Sequence, residues 1–110
     1  MILTEHVVGN AKVVEVAGRI DSPNAPRFHE RVGAAIGSSA VLVIDFAKVE
    51  YVTSAGFRVL LLLGRQADQA GSRLVLCGIN GKVRQLFDLG GFLDVFPIVQ
   101  TREEGIAAVK

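Results

Sequence analysis

Residues 45–63 read DFAKVEYVTSAGFRVLLLL, and the fold is decided by how that stretch divides. Immediately upstream, residues 40–44 form a short apolar run that ends at Asp45. Unbroken hydrophobicity without alternation suits a central strand covered on both faces. Residues 46–53 carry charges and are expected to form a loop. It opens at Thr53-Ser54-Ala55-Gly56 into the longest helix, from about Ser54 to Ala70, with Ser54 where an N-cap belongs. Phe57, Leu60, Leu61, Gly64 and Ala67 recur at helical spacing and make the expected buried stripe. Ser54, Arg58, Leu62, Arg65 and Gln69 share the opposite face. Leu62 is out of place among polar neighbours, and a leucine between two arginines points to a small contact surface on that face.

On the N-terminal side, residues 2–8 and 11–20 are rich in Val and Ile and are separated by Gly9-Asn10. That pair supplies the positive φ of a tight two-residue hairpin turn. In the second strand Val14, Val16 and Ile20 alternate with Lys12, Glu15 and Arg19, so one side is expected to be buried and the other partly solvated. Val13 and Ala17 blur the polar side. Asp21-Ser22-Pro23-Asn24-Ala25-Pro26 ends the strand. A helix follows, with Asn24 as cap, Pro26 in the first turn, Phe28, Val32, Ala35 and Ile36 inward, and Gly37 as the stop.

On the C-terminal side, residues 73–77 read as a buried strand. Residues 80–89 read as a short helix stopped by Gly90-Gly91, and residues 96–99 as a last strand. Thr101 and Glu104 have capping-box spacing before a terminal helix carrying Ile106 and Val109. The order ββαβαβαβα predicts one α/β domain over residues 1–110. It consists of an N-terminal hairpin followed by βα units, with a mixed, mostly parallel sheet and about four flanking helices.

Composition narrows the function. The 110 residues carry 12 Lys+Arg against 11 Asp+Glu, a net charge of +1, which argues against a general nucleic-acid surface. Half the residues are hydrophobic, enough for a core and against disorder. Apolar runs are far shorter than a membrane span requires, and Glu5 and His6 stand where a signal peptide needs a cationic start, so a cytoplasmic location is expected. A single cysteine, Cys77, and two histidines leave no internal disulfide and no zinc set. No phosphate-binding Gly-x-x-x-x-Gly-Lys loop, nucleophile elbow or Cys/His pair is present, so neither an enzyme nor a cofactor is expected. A phosphate-accepting receiver domain fits Asp45 but fails elsewhere. Gly9 and Asn10 occupy the place of its acidic pair, and no lysine follows Val99 until Lys110.

Three segments in register carry a resemblance to a known family. Asp45, Phe46, Ala47, Val49, Thr53, Ser54, Ala55 and Gly56 resemble the signature of STAS domains, the family of bacterial anti-sigma-factor antagonists. Gly18-Arg19-Ile20-Asp21 and Thr101-x-Glu103-Glu104-Gly105-Ile106 are similar to two further family segments. The resemblance implies a protein-binding module whose partner is both an anti-sigma factor and a serine kinase. The unphosphorylated form binds that partner and frees the sigma factor, and a separate phosphatase resets the switch. Carried over, Ser54 is the phosphate acceptor, with the Thr53 hydroxyl beside it where some antagonists have Asp. Asp21, Thr53, Ser54, Ala55, Gly56, Arg58, Leu62 and Arg65 make the partner surface, and Asp45 sits at the base of the loop. The residues alone leave Ser54 open as a helix cap, Asp21 as a turn former and Asp45 as an acceptor of loop N–H groups. The resemblance also admits a second role, as an accessory or scaffold subunit of a stress-sensing assembly or of a lipid-transport ATPase.

Overall fold

The computed structural model describes residues 1–108. Strands β1 (Ile2–Val8) and β2 (Ala11–Ile20) form the expected antiparallel hairpin, with Gly9 at φ 58° in the turn. Helix α1 (Ala25–Ala35) starts after Asn24 with Pro26 in its first turn. Strand β3 (Val41–Val52) leads into helix α2 (Ser54–Ala70), and β4 (Arg73–Cys77) follows. Helix α3 (Gly81–Leu89), strand β5 (Ile98–Val99) and helix α4 (Arg102–Ala107) complete the chain. The five strands lie in the order β1-β2-β3-β4-β5, antiparallel at β1/β2 and parallel elsewhere. Val109, expected on the terminal helix, lies outside the described residues.

β3 differs most from expectation. Residues 46–52, expected as loop, continue the strand and pair with the second half of β2. β2 is ten residues long and needs a partner along its whole length, whereas β4 pairs only with residues 41–45 of β3. Two register shifts against β2 place extra residues in β3, and such bulges bend a strand and increase its twist. The last strand is shorter than residues 96–99. Pro97 has no N–H to give to a ladder, and its carbonyl accepts from Leu76 N–H instead.

Alternation along β3 sorts the core onto two faces. Leu42, Ile44 and Phe46 pack with Val14, Val16, Leu74 and Leu76 beneath α1, α2 and α3. Val41 and Val43 join Ala11, Val13, Val75 and Cys77 beneath Ile106 of α4. Coverage by α4 explains why Val13 breaks the polar pattern of β2: the side expected to be solvated is buried there. Gly105 lets α4 come close, because a Cβ at that position would stand 3.0 Å from Val43 Cγ2. The Thr101–Glu104 capping box is formed in full.

Candidate functional site

The corner between β3 and α2 is held from below by tight contact with the end of β2. Thr53 N–H donates to the Ile20 carbonyl at 2.9 Å, and Thr53 Oγ1 donates to the same oxygen at 3.3 Å. Gly56 is buried against that junction. A Cβ there would lie 2.8 Å from Val52 Cγ1 and 2.9 Å from Ile20 Cγ2, so only glycine lets the helix start so close to the strand. Phe57, one residue on, stacks on Phe92 at 4.5 Å between ring centroids and meets Phe87 edge-on at 4.9 Å. These contacts fix the first turn of α2 from three directions.

Ser54 points away from that packing. It is the first residue of the helix, exposed, and its hydroxyl has no hydrogen-bond partner among the described residues. The expected cap is displaced by one position: Thr53, extended at φ −87° and ψ 172°, is the N-cap. Thr53 spends its hydroxyl on Ile20 rather than on the helix, so the first-turn N–H groups receive no side-chain acceptor. Free N–H groups and the positive end of the helix dipole therefore converge beside the Ser54 hydroxyl.

The loop after β2 lies against the same corner. Asp21 and Asn24 bracket Ser22-Pro23 reciprocally: Asp21 N–H donates to Asn24 Oδ1 at 2.9 Å, and Asn24 N–H donates to Asp21 Oδ1 at 3.3 Å. The Asn24 amide also donates to the Arg19 carbonyl at 2.8 Å. Asp21 thus builds the turn and remains partly exposed, with Arg19 Nε 3.9 Å from its carboxylate. Two grooves flank Ser54. One, between α1 and α2, is lined by Ser22, Pro26, His29, Ala55 and Arg58. The other, between α2 and α3, is lined by Tyr51, Phe57, Arg58, Leu61 and Phe92. His29 had no role in the sequence reading. It reaches the corner because Pro26 and His29 are one helical turn apart on the side of α1 that faces α2.

Arg58, Leu62 and Arg65 are exposed along α2, as the spacing predicts. Leu61 is a correction. It was expected in the buried stripe but is 36% exposed, next to Leu62 at 40%, while Val59, Leu60 and Leu63 are buried. Five consecutive apolar residues, 59–63, conceal which of them turn outward. The exposed stripe therefore runs Ser54, Arg58, Leu61, Leu62, Arg65, with an apolar pair between two cations. Arg19 and Lys82 lie over the Tyr51 ring, at 4.8 Å and 5.8 Å from its centroid, and add cationic character beyond the α2–α3 groove.

Asp45 does not join this site. It lies on the α4 side of the sheet rather than at the base of the corner, and it is buried. Its Oδ1 accepts from Ala47 N–H at 2.9 Å, as an acceptor of nearby backbone N–H groups would, and its Oδ2 meets Arg102 Nη2 at 2.7 Å. Arg102 also reaches Glu15 at 2.8 Å, and Lys48 binds the other Glu15 oxygen at 3.2 Å. The Lys48 ammonium and then Arg102 hold the Glu15 carboxyl below its ordinary range, against the opposing effect of burial. Burial first, then the neighbouring Asp45 charge, pushes the Cys77 thiol up to about 12, which removes it as a nucleophile near neutrality. Among the described residues no group of three or more His, Cys, Asp or Glu could hold a metal ion, and no helix is long and apolar enough to cross a membrane.

The site is an accessible hydroxyl at a tightly packed strand-to-helix corner of a small α/β domain, flanked by two grooves. The chain belongs to the STAS domain family, whose profile matches residues 3–105. A Bordetella bronchiseptica protein, BtrV, provisionally assigned as an anti-sigma factor antagonist, is 33% identical over the whole chain and 96% of its own length. The anti-sigma-B factor antagonist of Listeria monocytogenes is 32% identical over 81% of this chain and 79% of its own. Among solved structures, an anti-sigma factor antagonist from Mycobacterium paratuberculosis superposes with a TM-score of 0.87 at 25% identity. That match covers 98% of this chain and 92% of the other.

Proposed function

We propose that this chain is an anti-sigma factor antagonist that binds a serine-kinase anti-sigma factor and is released when that partner phosphorylates Ser54. The observation that carries the reading is the exposed, unbonded Ser54 hydroxyl at the first position of α2. Thr53 is the poorer acceptor, because its hydroxyl is committed to the Ile20 carbonyl and half-buried. The names of the relatives support the antagonist role. The partner surface is the corner of Asp21, Thr53, Ser54, Ala55 and Gly56 together with Arg58, Leu62 and Arg65.

The switch follows from charge. A phosphate adds ~1.5–2 negative charges. The free N–H groups of the first turn and the helix dipole receive it well, so the fold is retained. Against a docked partner the new charge is desolvated, at a penalty on the order of 2–5 kcal/mol, or ~30- to several-thousand-fold in affinity. Arg58 stands one turn along and can fold back on the phosphate. A serine phosphatase then restores the binding form.

Incubation with the cognate kinase and ATP, followed by mass-spectrometric mapping, tests the acceptor. Phosphate is expected on Ser54 and absent from Ser54→Ala. Ser54→Asp should keep the thermal transition and lose partner affinity, while Ser54→Ala binds whether or not ATP is present. Phosphate on Thr53, or full affinity in Ser54→Asp, would overturn the reading.

A further inference from the structure

The two margins of the sheet are unlike. β5 is two residues long and preceded by Pro97, which leaves little for another strand to pair with. β1 is a seven-residue edge strand whose register with β2 is unbroken from Ile2 to Val8. Of the devices that protect an open edge it has no proline, no lysine and no bulge; its one carboxylate, Glu5, is paired with Arg31. Its exposed apolar side chains are large: Ile2 is 67% exposed, Val7 71% and Val8 47%. Among the described residues no helix packs across its α4-side face, because α4 packs on β2, β3, β4 and β5.

We propose that β1 is a homodimer interface, at which a second copy of this chain pairs antiparallel with β1 about a two-fold axis through Glu5. Two-fold pairing places residues of the same face opposite one another, which leaves three registers with substantial overlap. Centring on Thr4 sets Leu3 against Glu5 and leaves Val7 and Val8 without mates. Centring on His6 sets Val7 against Glu5 and leaves Ile2 without one. Centring on Glu5 uses all seven residues and matches like with like: Ile2 with Val8, Leu3 with Val7, Thr4 with His6.

The axial Glu5 pair is the one like-charged contact, and each carboxylate brings its own counter-ion. Arg31 Nη2 of α1 stands 3.5 Å from Glu5 Oε2 on the face the pair would share. The axis thus gathers two carboxylates and two guanidiniums. There is room for this. α1 packs over β2, so the two α1 helices would be separated by about three strand spacings, ~14 Å, against the 8–10 Å of helices in direct contact. The Arg31 side chains occupy the space between them. The interface leaves the Ser54 corner free, since β2 separates β1 from β3.

Sedimentation of the full chain tests the pairing, and cysteine cross-linking tests the register. A single-strand interface is small, so a dimer is expected to populate over roughly 10–500 μM. Under mild oxidation Glu5→Cys should form a disulfide-linked dimer, because its Cα lies about 4.5–5.5 Å from its mate. Thr4→Cys alone should not, whereas Thr4→Cys combined with His6→Cys should. Cys77 is buried and does not compete. Val7→Lys, at an exposed position, should keep the thermal transition and weaken dimerisation by about tenfold or more. A chain that stays monomeric at 500 μM, an edge that captures only other proteins, equal cross-linking of Glu5→Cys and Thr4→Cys, or a dimer indifferent to Val7→Lys would overturn the proposal.

Discussion

At Gly56 there is no space for even a methyl group, since the nearest atoms would stand under 3 Å from its Cβ. Gly56→Ala must either push α2 off the end of β2 or displace Ile20. A cost of about 1–3 kcal/mol is expected, read as a lower urea midpoint. Partner affinity should fall as well, because the same shift moves Ser54. In the sequence, small Ala55 and Gly56 after Ser54 suggest a sterically open corner. The tight packing under Gly56 was not legible, because it depends on Ile20, a residue distant in sequence. What was also not legible is which hydroxyl does what. Thr53 and Ser54 are adjacent and chemically alike, and only the carbonyl of Ile20, thirty-three positions earlier, separates a committed hydroxyl from a free one. Asp21 shows the same limit, because its bracket with Asn24 is local but its place at the end of β2 near the corner comes from the Thr53 N–H bond to the Ile20 carbonyl.

Helix α2 is the element that joins scaffold to site. Its inner face, Gly56, Phe57, Leu60, Leu63 and Ala67, holds it on the sheet, and its outer stripe carries Leu61 and Leu62 between Arg58 and Arg65. Leu62→Glu should weaken partner binding by about tenfold or more while changing unfolding free energy by less than ~1 kcal/mol, as at other exposed sites. Isothermal titration together with urea unfolding separates the two effects; cooperative loss of structure would show that the side chain is core. The bounds of α2 follow from periodicity and from Gly71, which adopts φ 70° at its end. Within the helix, a run of one residue type carries no phase, and Leu61 was therefore assigned inward. The error at β3 has another origin. Lys48 and Glu50 give its second half the composition of a loop, and only the length of β2 shows that the ladder continues.

Across the whole molecule, helices on both faces of the sheet divide the tasks. α1, α2 and α3 frame the corner, while α4 closes the other side through Arg102, Asp45 and Glu15. Glu15 titrates below its ordinary range in the fold. Its contribution to stability is therefore present above the unfolded value of about 4.3 and is lost as pH falls through the lower folded one. Glu15→Gln should flatten the acid side of the stability profile, so that the urea midpoint falls less between about pH 5 and pH 3 than in the unsubstituted chain. An unchanged slope would show that the ion cluster does not couple α4 to the sheet. The layer order was legible from ββαβαβαβα, but the charged cluster was not. It joins residues 15, 45, 48 and 102, which only the register of β2 on β3 and the docking of α4 bring together.

The inequality of the sheet's margins limits how far assembly can proceed. Once two copies have joined at the long margin, each offers only the two-residue β5 to a third, and a two-fold contact closes on itself rather than propagating. Concentration then drives the chain to pairs and no further. An edge strand that would seed fibres in a sheet with two such borders would here yield a finite particle carrying two outward-facing Ser54 corners.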